Sequence, residues 1–412
     1  MKVLLVSNSY SLNIDFNQVT VIACLLVSSF ITSIISVPVT SLMFVIILLL
    51  LVYSLFIKTI SYKLHLLTFL YLSMLAIGSL QGVYNDIPLK NVLGEYVYYL
   101  KPVFFFFLGY HFSRRNNFDY SQTAKLSLVI MAAGTILAFL FPHHLVDLAS
   151  KRLSVSSSIV YGDSQLQHYW VYNPVFTTLF GWLWVTDGGF LLRNPSLLLS
   201  ALETGFVSFF LSAYFLQYKE KYHWFYFLSS IIILITSFGR SAWIGFIITS
   251  VVIFFQRSKP LTRSLGLLFA LGITAFVFAK FFEELRFLFL LEGSASIHLT
   301  NLQDAVKHII TNPLGTGLGT SGWNGYTDST YYLYSEGSLL TSMIELGFPF
   351  LLFQLFLLLQ VYLKSKKLLF PHYCGFLGAS FFLPIGFSTF FIALFYSYIG
   401  CEFNKMRQNG TA

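Results

Sequence analysis

Residues Ser294 to Gly347 read SASIHLTNLQDAVKHIITNPLGTGLGTSGWNGYTDSTYYLYSEGSLLTSMIELG, a polar, glycine-rich island in a chain that is otherwise one apolar segment after another. Irregular backbone of this kind cannot face lipid, because hydrocarbon offers nothing to satisfy its N–H and C=O groups. The island therefore lies outside the hydrocarbon or lines a protein cavity, and it is the first place to look for chemistry.

The surrounding sequence requires a bilayer. Of 412 residues, 56% are hydrophobic and 10% charged, with a mean hydropathy of +0.72, whereas a soluble domain carries about 25% charged residues. The apolar runs recur over the whole length, so residues 1–412 are expected to form a single membrane domain with no separate soluble unit. The formal charge of +8 comes from short clusters between apolar runs rather than one basic face, which argues against nucleic acid. Cys24, Cys374 and Cys401 sit in or beside apolar runs without CxxC spacing, so neither metal binding nor a disulfide framework is expected of them. After Lys2 and a polar stretch the first apolar run has no small-residue cleavage site, which reads as an uncleaved first span.

Runs long enough to cross about 30 Å of hydrocarbon appear at Gln18 to Ser36, Val39 to Ile57, Leu64 to Leu80, Tyr96 to Phe112 and Ala124 to Phe141. More follow at Ser196 to Leu216, Tyr222 to Thr236, Ala242 to Phe255, Ser264 to Phe281 and Ser338 to Leu363. The last run, Tyr373 to Gly400, is long for one helix and short for two, with Pro384 and Gly386 at its middle. Charge favours two. Every second gap is basic, and 16 of the 25 lysines and arginines fall on one side, including Lys58, Arg114, Arg257 and Lys367, provided that Lys405 and Arg407 return to it. That side is cytoplasmic by the positive-inside rule. The expectation is an all-α polytopic protein of about twelve spans, with eleven as the alternative and both termini cytoplasmic. The outward gaps include two large extracytoplasmic loops, residues 142–195 and 282–337. In the second, Leu302, Ala305, Val306, Ile309 and Ile310 recur at helical spacing, which predicts a short amphipathic helix lying on the outer membrane surface.

Two basic residues outside the inner clusters sit where an outer-face anion would meet them. Arg193 precedes a helix expected to hold Pro195 and Ser196 in its first turn, where a diphosphate would suit the N-terminus. Arg240 lies in the turn between two spans of only about fifteen residues. Guanidinium forks bind diphosphate bidentately; the alternative for both is snorkelling to lipid phosphate. Lys101, within an apolar run, is either a third cation at such a site or a snorkelling lysine. Glu203 and Glu345, inside expected spans, are functional candidates or partners of an arginine. His298 and Glu336 bracket the island as candidate proton acceptors for a weak nucleophile, the alternatives being a surface histidine and a helix N-terminal acid. Gly315, Gly317 and Gly319 offer a backbone N–H nest for phosphate or glycan, but no GK[ST] follows, so this is not a nucleotide loop. No metal-site spacing occurs, and no metal or cofactor is expected.

Arg193 before a span, the turn ending in Arg240, HxxxLxxAxxxIxxNPLGxGLGxxG from His298 and EGSLLTSMIELGF from Glu336 together resemble the O-antigen ligase and polymerase superfamily, over residues 190–365. The resemblance implies a membrane glycosyltransferase of GT-C type at the outer face of the bacterial cytoplasmic membrane. Such an enzyme needs no metal and inverts the anomeric carbon. Arg193 and Arg240 would hold the polyprenyl diphosphate of the donor, and His298 and Glu336 would lie beside the acceptor. Ligases of this superfamily carry a histidine late in the large loop, where this chain reads TYYLYSEGS. That departure favours polymerisation of lipid-linked repeat units, with a chain-length regulator as partner, over transfer to a lipid acceptor. A lipid-linked glycan transporter is the alternative of another class.

Overall fold

The computed structural model describes residues 62–113, 120–142, 170–171, 191–259, 293–321, 337–382 and 389–408, apart from single positions such as 193, 195 and 238. The expected spans Gln18 to Ser36, Val39 to Ile57 and Ser264 to Phe281, most of residues 142–195, and residues 282–292 and 322–336 of the second loop lie outside them. The elements are α1 (Tyr62–Tyr84), α2 (Leu89–Phe112), α3 (Tyr120–Leu140), β1 (Trp170–Val171), β2 (Leu191–Leu192), a 3-10 turn (Ser196–Leu198), α4 (Ala201–Gln217) and α5 (His223–Thr236). They continue with α6 (Arg240–Arg257), α7 (Gly293–Thr311), α8 (Ser338–Ser365), α9 (Leu369–Phe382) and α10 (Thr389–Gln408). The sole sheet among the described residues is the antiparallel two-residue pairing of β1 with β2. The final apolar run falls on two helices, α9 and α10; Pro384 and Gly386 lie outside the described residues.

Three helices are long and apolar enough to cross a membrane, at Leu66–Tyr84, Tyr120–Leu140 and Ser338–Ser365, and His223–Thr236 and Ser241–Arg257 are shorter apolar helices. The three leave large side chains such as Ile77, Leu80, Ile136, Leu140, Leu352 and Leu363 exposed, with only 22–39% of each apolar window buried by protein. Apolar surface on that scale needs an apolar solvent, and the chain is a helical membrane protein.

The described chain falls into two compact units. Unit one takes Leu100–Phe246 and Phe387–Ala412. Its centre is α4, buried at fourteen of 17 positions and apolar nearly all round, as a helix enclosed by others must be. Phe209, Phe210 and Tyr214 meet Phe391, Phe395 and Tyr398 of α10 and Tyr120 of α3, with ring centroids 5.4–6.4 Å apart. The Tyr120 hydroxyl donates to Leu394 O at 2.6 Å. Gly109 and Gly400 let α2 and α10 touch backbone to backbone, since a Cβ on either would overlap main chain of the other. Glu203 is explained structurally: its carboxylate accepts the N–H of Phe390 at 3.1 Å in the first turn of α10, at the positive end of that helix.

Unit two takes Ser61–Tyr99 and Ile247–Gly386. Here α8 packs against α1, α7 and α9. Tyr71 of α1 donates to Tyr99 O at 2.9 Å and packs on Phe353, and Tyr373 of α9 donates to Gln354 at 2.6 Å. The helix expected at Asn301 to Ile310 is longer, Gly293–Thr311, and does not lay its whole apolar stripe on lipid. Ala305 and Ile309 are buried with Leu340, Met343 and Ile344 of α8, and Leu302 packs against them. Val306 and Ile310 stay exposed. The stripe is therefore divided, because α8 buries its inner half.

Candidate functional site

The glycine-rich island is built onto a break in α8. In an α-helix the carbonyls of Ile344 and Glu345 would accept the N–H groups of Phe348 and residue 349. Residue 349 is proline and has none, and Gly347 takes φ 72°, ψ −165°, so both carbonyls lose their partners. The loop replaces them. Thr316 N–H donates to Ile344 O and Gly317 N–H to Glu345 O, both at 2.9 Å, while the released Phe348 N–H donates to Pro313 O at 2.8 Å. Asn312 ends α7 by turning its own N–H back to His308 O at 2.9 Å. On the other side Leu318 N–H donates to Gly78 O of α1 at 2.9 Å, and Gln81 and Asn85 donate to the carbonyls of Gly315 and Thr316 at 2.7 and 2.8 Å.

Glu345 completes the joint. Its residue is 0% exposed, and one carboxylate oxygen accepts Gly319 N–H at 3.0 Å and Ser321 N–H at 3.2 Å, the other the Tyr99 hydroxyl at 2.9 Å. An acid inside an expected span thus serves as the template on which a loop of successive turns closes. The glycines are required by geometry. Gly315, Gly317 and Gly319 have φ of +84°, +95° and +85°, and a Cβ on Gly317 would overlap the backbone of Gly82. Gly317→Ala is expected to cost upwards of about 3 kcal/mol, combining left-handed strain with a backbone overlap. Thr320→Ala, removing a hydroxyl that donates to Gly317 O at 2.8 Å, should cost about 1 kcal/mol. Melting of the detergent-solubilised variants checks the order.

The phosphate nest expected of Gly315, Gly317 and Gly319 is closed. Their N–H groups are donated to Asn312 O, Glu345 O and the Glu345 carboxylate, so this loop presents none of them to an external anion. Geometry, not anion binding, accounts for these three glycines.

In unit one the chain on either side of the two expected arginines is pinned together. Asn194 N–H donates to Thr236 O at 3.0 Å, and its side-chain amide donates to Thr135 and Thr236 hydroxyls at 2.8 and 3.1 Å. Ser196 N–H donates back to Asn194 at 3.0 Å, and its hydroxyl donates to Met131 O at 2.9 Å. Asn194 follows Arg193, and Thr236 ends α5 four residues before Arg240, which opens α6. The expectation that the next helix begins at Ser196 is corrected: Ser196 opens a separate 3-10 turn, and α4 starts at Ala201 behind a Ser200 cap that accepts Glu203 N–H at 3.3 Å; Pro195 lies outside the described residues. Asn194 and Ser196 spend their hydrogen bonds on α3 and α5 instead, with Ser196 at φ 47°.

Of the expected site residues, Arg193 and Glu336 lie outside the described residues. Arg240 and Lys101 belong to unit one and His298, in the first half of α7, to unit two. Lys101 is 6% exposed within α2. Among the described residues no group of three or more metal-ligating side chains forms. Two features escaped the sequence reading. The template role of Glu345 joins residues 24 and 26 positions apart, and the tie from Asn194 to α5 has its signal only in an Asn-Pro-Ser run that also reads as a helix start. No protein-family model matches the chain, and neither a curated protein nor a solved structure does.

Proposed function

We propose that the protein is a membrane glycosyltransferase that polymerises polyprenyl-diphosphate-linked oligosaccharide repeat units at the outer face of the bacterial cytoplasmic membrane. A GT-C-like arrangement of about twelve spans, with both termini cytoplasmic, belongs to this reading. A hydroxyl oxygen of the acceptor repeat attacks the anomeric carbon of the donor, the bond from that carbon to the diphosphate oxygen breaks with inversion, and polyprenyl diphosphate leaves with the electron pair. The hydroxyl proton passes to Glu336 or His298. Arg193 and Arg240, with Lys101, hold the departing diphosphate, and stabilising that charge in a water-poor site supplies most of the acceleration.

The observation that supports this best is the tie between Asn194 and Thr236, which joins the main chain next to Arg193 to the turn that opens at Arg240, within an apolar helical protein. Deleting the gene tests it. Single-repeat glycans on the carrier are the expected outcome. Long chains stranded on the carrier would make the protein a ligase instead, and unaltered polysaccharide would end both readings.

A further inference from the structure

We propose that Val306, Ile310 and Leu314 form a foot resting in the lipid leaflet beside the glycine-rich loop, where its partner is the glycerol end of the phospholipid acyl chains; the inference does not depend on the proposed chemistry. Around α7, at about 100° per residue, the side chains fall into three arcs. Leu302, Ala305 and Ile309 pack with α8. Val306 and Ile310 come next, 41% and 66% exposed, and then the exposed polar arc of Gln303, Lys307, Thr311 and Asp304. On the other flank of the buried arc stand Asn301 and His308, both half-buried. Exposed apolar surface thus occupies one flank only, between protein and the polar arc, as on a helix lying in a membrane interface.

Continuity with α8 names the occupant. From Ser338 to Gly347 every residue of α8 is buried except Leu339, which is half-buried against the cluster that holds Ala305 and Ile309. Beyond the break Phe348, Leu352, Leu355, Phe356, Leu359 and Leu363 are exposed. The stretch Phe348–Ser365 measures about 27 Å, close to the hydrocarbon thickness of about 30 Å. Leu314, 73% exposed, sits where this lipid-facing surface begins: a Cβ on Gly347 would overlap its main chain, and Phe348 N–H donates to Pro313 O.

The level is the same from α1. Its apolar stretch Leu66–Tyr84 measures about 28 Å, and Asn85, directly beyond it, donates to Thr316 O of the loop at 2.8 Å. Two spanning helices therefore put the hydrocarbon boundary at the loop, and the apolar flank of α7 adjoins it.

The test attaches bimane to Ile310→Cys, Leu314→Cys, Asp304→Cys and Leu352→Cys, each in full-length protein with Cys24, Cys374 and Cys401 replaced by alanine, reconstituted in phosphatidylethanolamine and phosphatidylglycerol vesicles. Phospholipid brominated near the glycerol end of its acyl chains should quench Ile310→Cys and Leu314→Cys by about half or more of the quenching at Leu352→Cys. Asp304→Cys should answer only to aqueous iodide, and Leu352→Cys, on the span itself, reports that the protein has inserted. A second measurement needs no substitution: phospholipid carrying a diazirine at the same depth, illuminated with the parent protein, should leave adducts between Val306 and Leu314 as well as on α8. Quenching of Ile310→Cys by iodide and not by lipid puts the flank in water and overturns the inference. Protection from both quenchers, with no adduct between Val306 and Leu314, shows that protein covers the flank, whether a second copy or another segment, and overturns it equally.

Discussion

Glu345→Ala is expected to unfold the loop from Asn312 to Ser321 and to destabilise the protein by at least about 3 kcal/mol. The substitution strands two buried N–H groups, Gly319 and Ser321, and the Tyr99 hydroxyl, all of which end on the lost carboxylate. Each buried donor left without an acceptor costs about 1–3 kcal/mol. Water cannot easily compensate, because Glu345 is fully buried and Gly319 and Ser321 are buried too. Glu345→Gln separates template from charge. Its amide oxygen can still accept both N–H groups and the tyrosine hydroxyl can rotate to accept from the new NH₂, so less than half of the alanine effect is expected. Thermal aggregation in detergent and limited proteolysis between residues 312 and 321 report the two together. An alanine variant as stable and as protease-resistant as the parent would show that something other than this carboxylate holds the loop.

Arg240→Ala and Arg193→Ala are each expected to reduce chain extension by about a hundredfold or more while protein abundance stays normal. A preorganised positive group aimed at developing negative charge contributes on that scale. Neither loss is expected to unfold the site, because Asn194, Ser196 and Ser237 hold the neighbouring main chain. Arg240→Lys retains the charge and loses the fork, so partial activity is expected from it. Polysaccharide length on gels, with immunoblots of the membrane fraction, gives the answer. Full-length polymer from either alanine variant would take that arginine out of the site.

Much of the helical layout is legible in local sequence. The apolar runs from Leu64, Ala124 and Ser338 became α1, α3 and α8 with ends shifted by a few residues, because length and hydropathy are properties of each run alone. The last run, expected to hold two short helices, falls on α9 and α10. What stayed hidden depends on partners far away in the chain. The start of α4 was misplaced because Asn194 and Ser196 bond to Thr135, Met131 and Thr236, none of them local. The stripe on α7 was expected to lie on the membrane surface, yet α8 covers Ala305 and Ile309, and nothing in the spacing distinguishes α8 from lipid as the covering surface. The glycines of NPLGTGLG signalled tight turns, and their φ values agree; the sequence could not show that the resulting N–H groups point at Glu345.

The broken stretch of α8 and the loop that repairs it form a matched pair, and this has a consequence for recombination between related genes. ELGFP lacks the main-chain donors that its carbonyls need, and NPLGTGLGTS supplies them at fixed positions. A crossover falling between residues 322 and 336 would combine a loop from one parent with a helix from the other, and any change in spacing on either side would leave both halves unsatisfied. Viable chimeras should inherit residues 312–349 as one block.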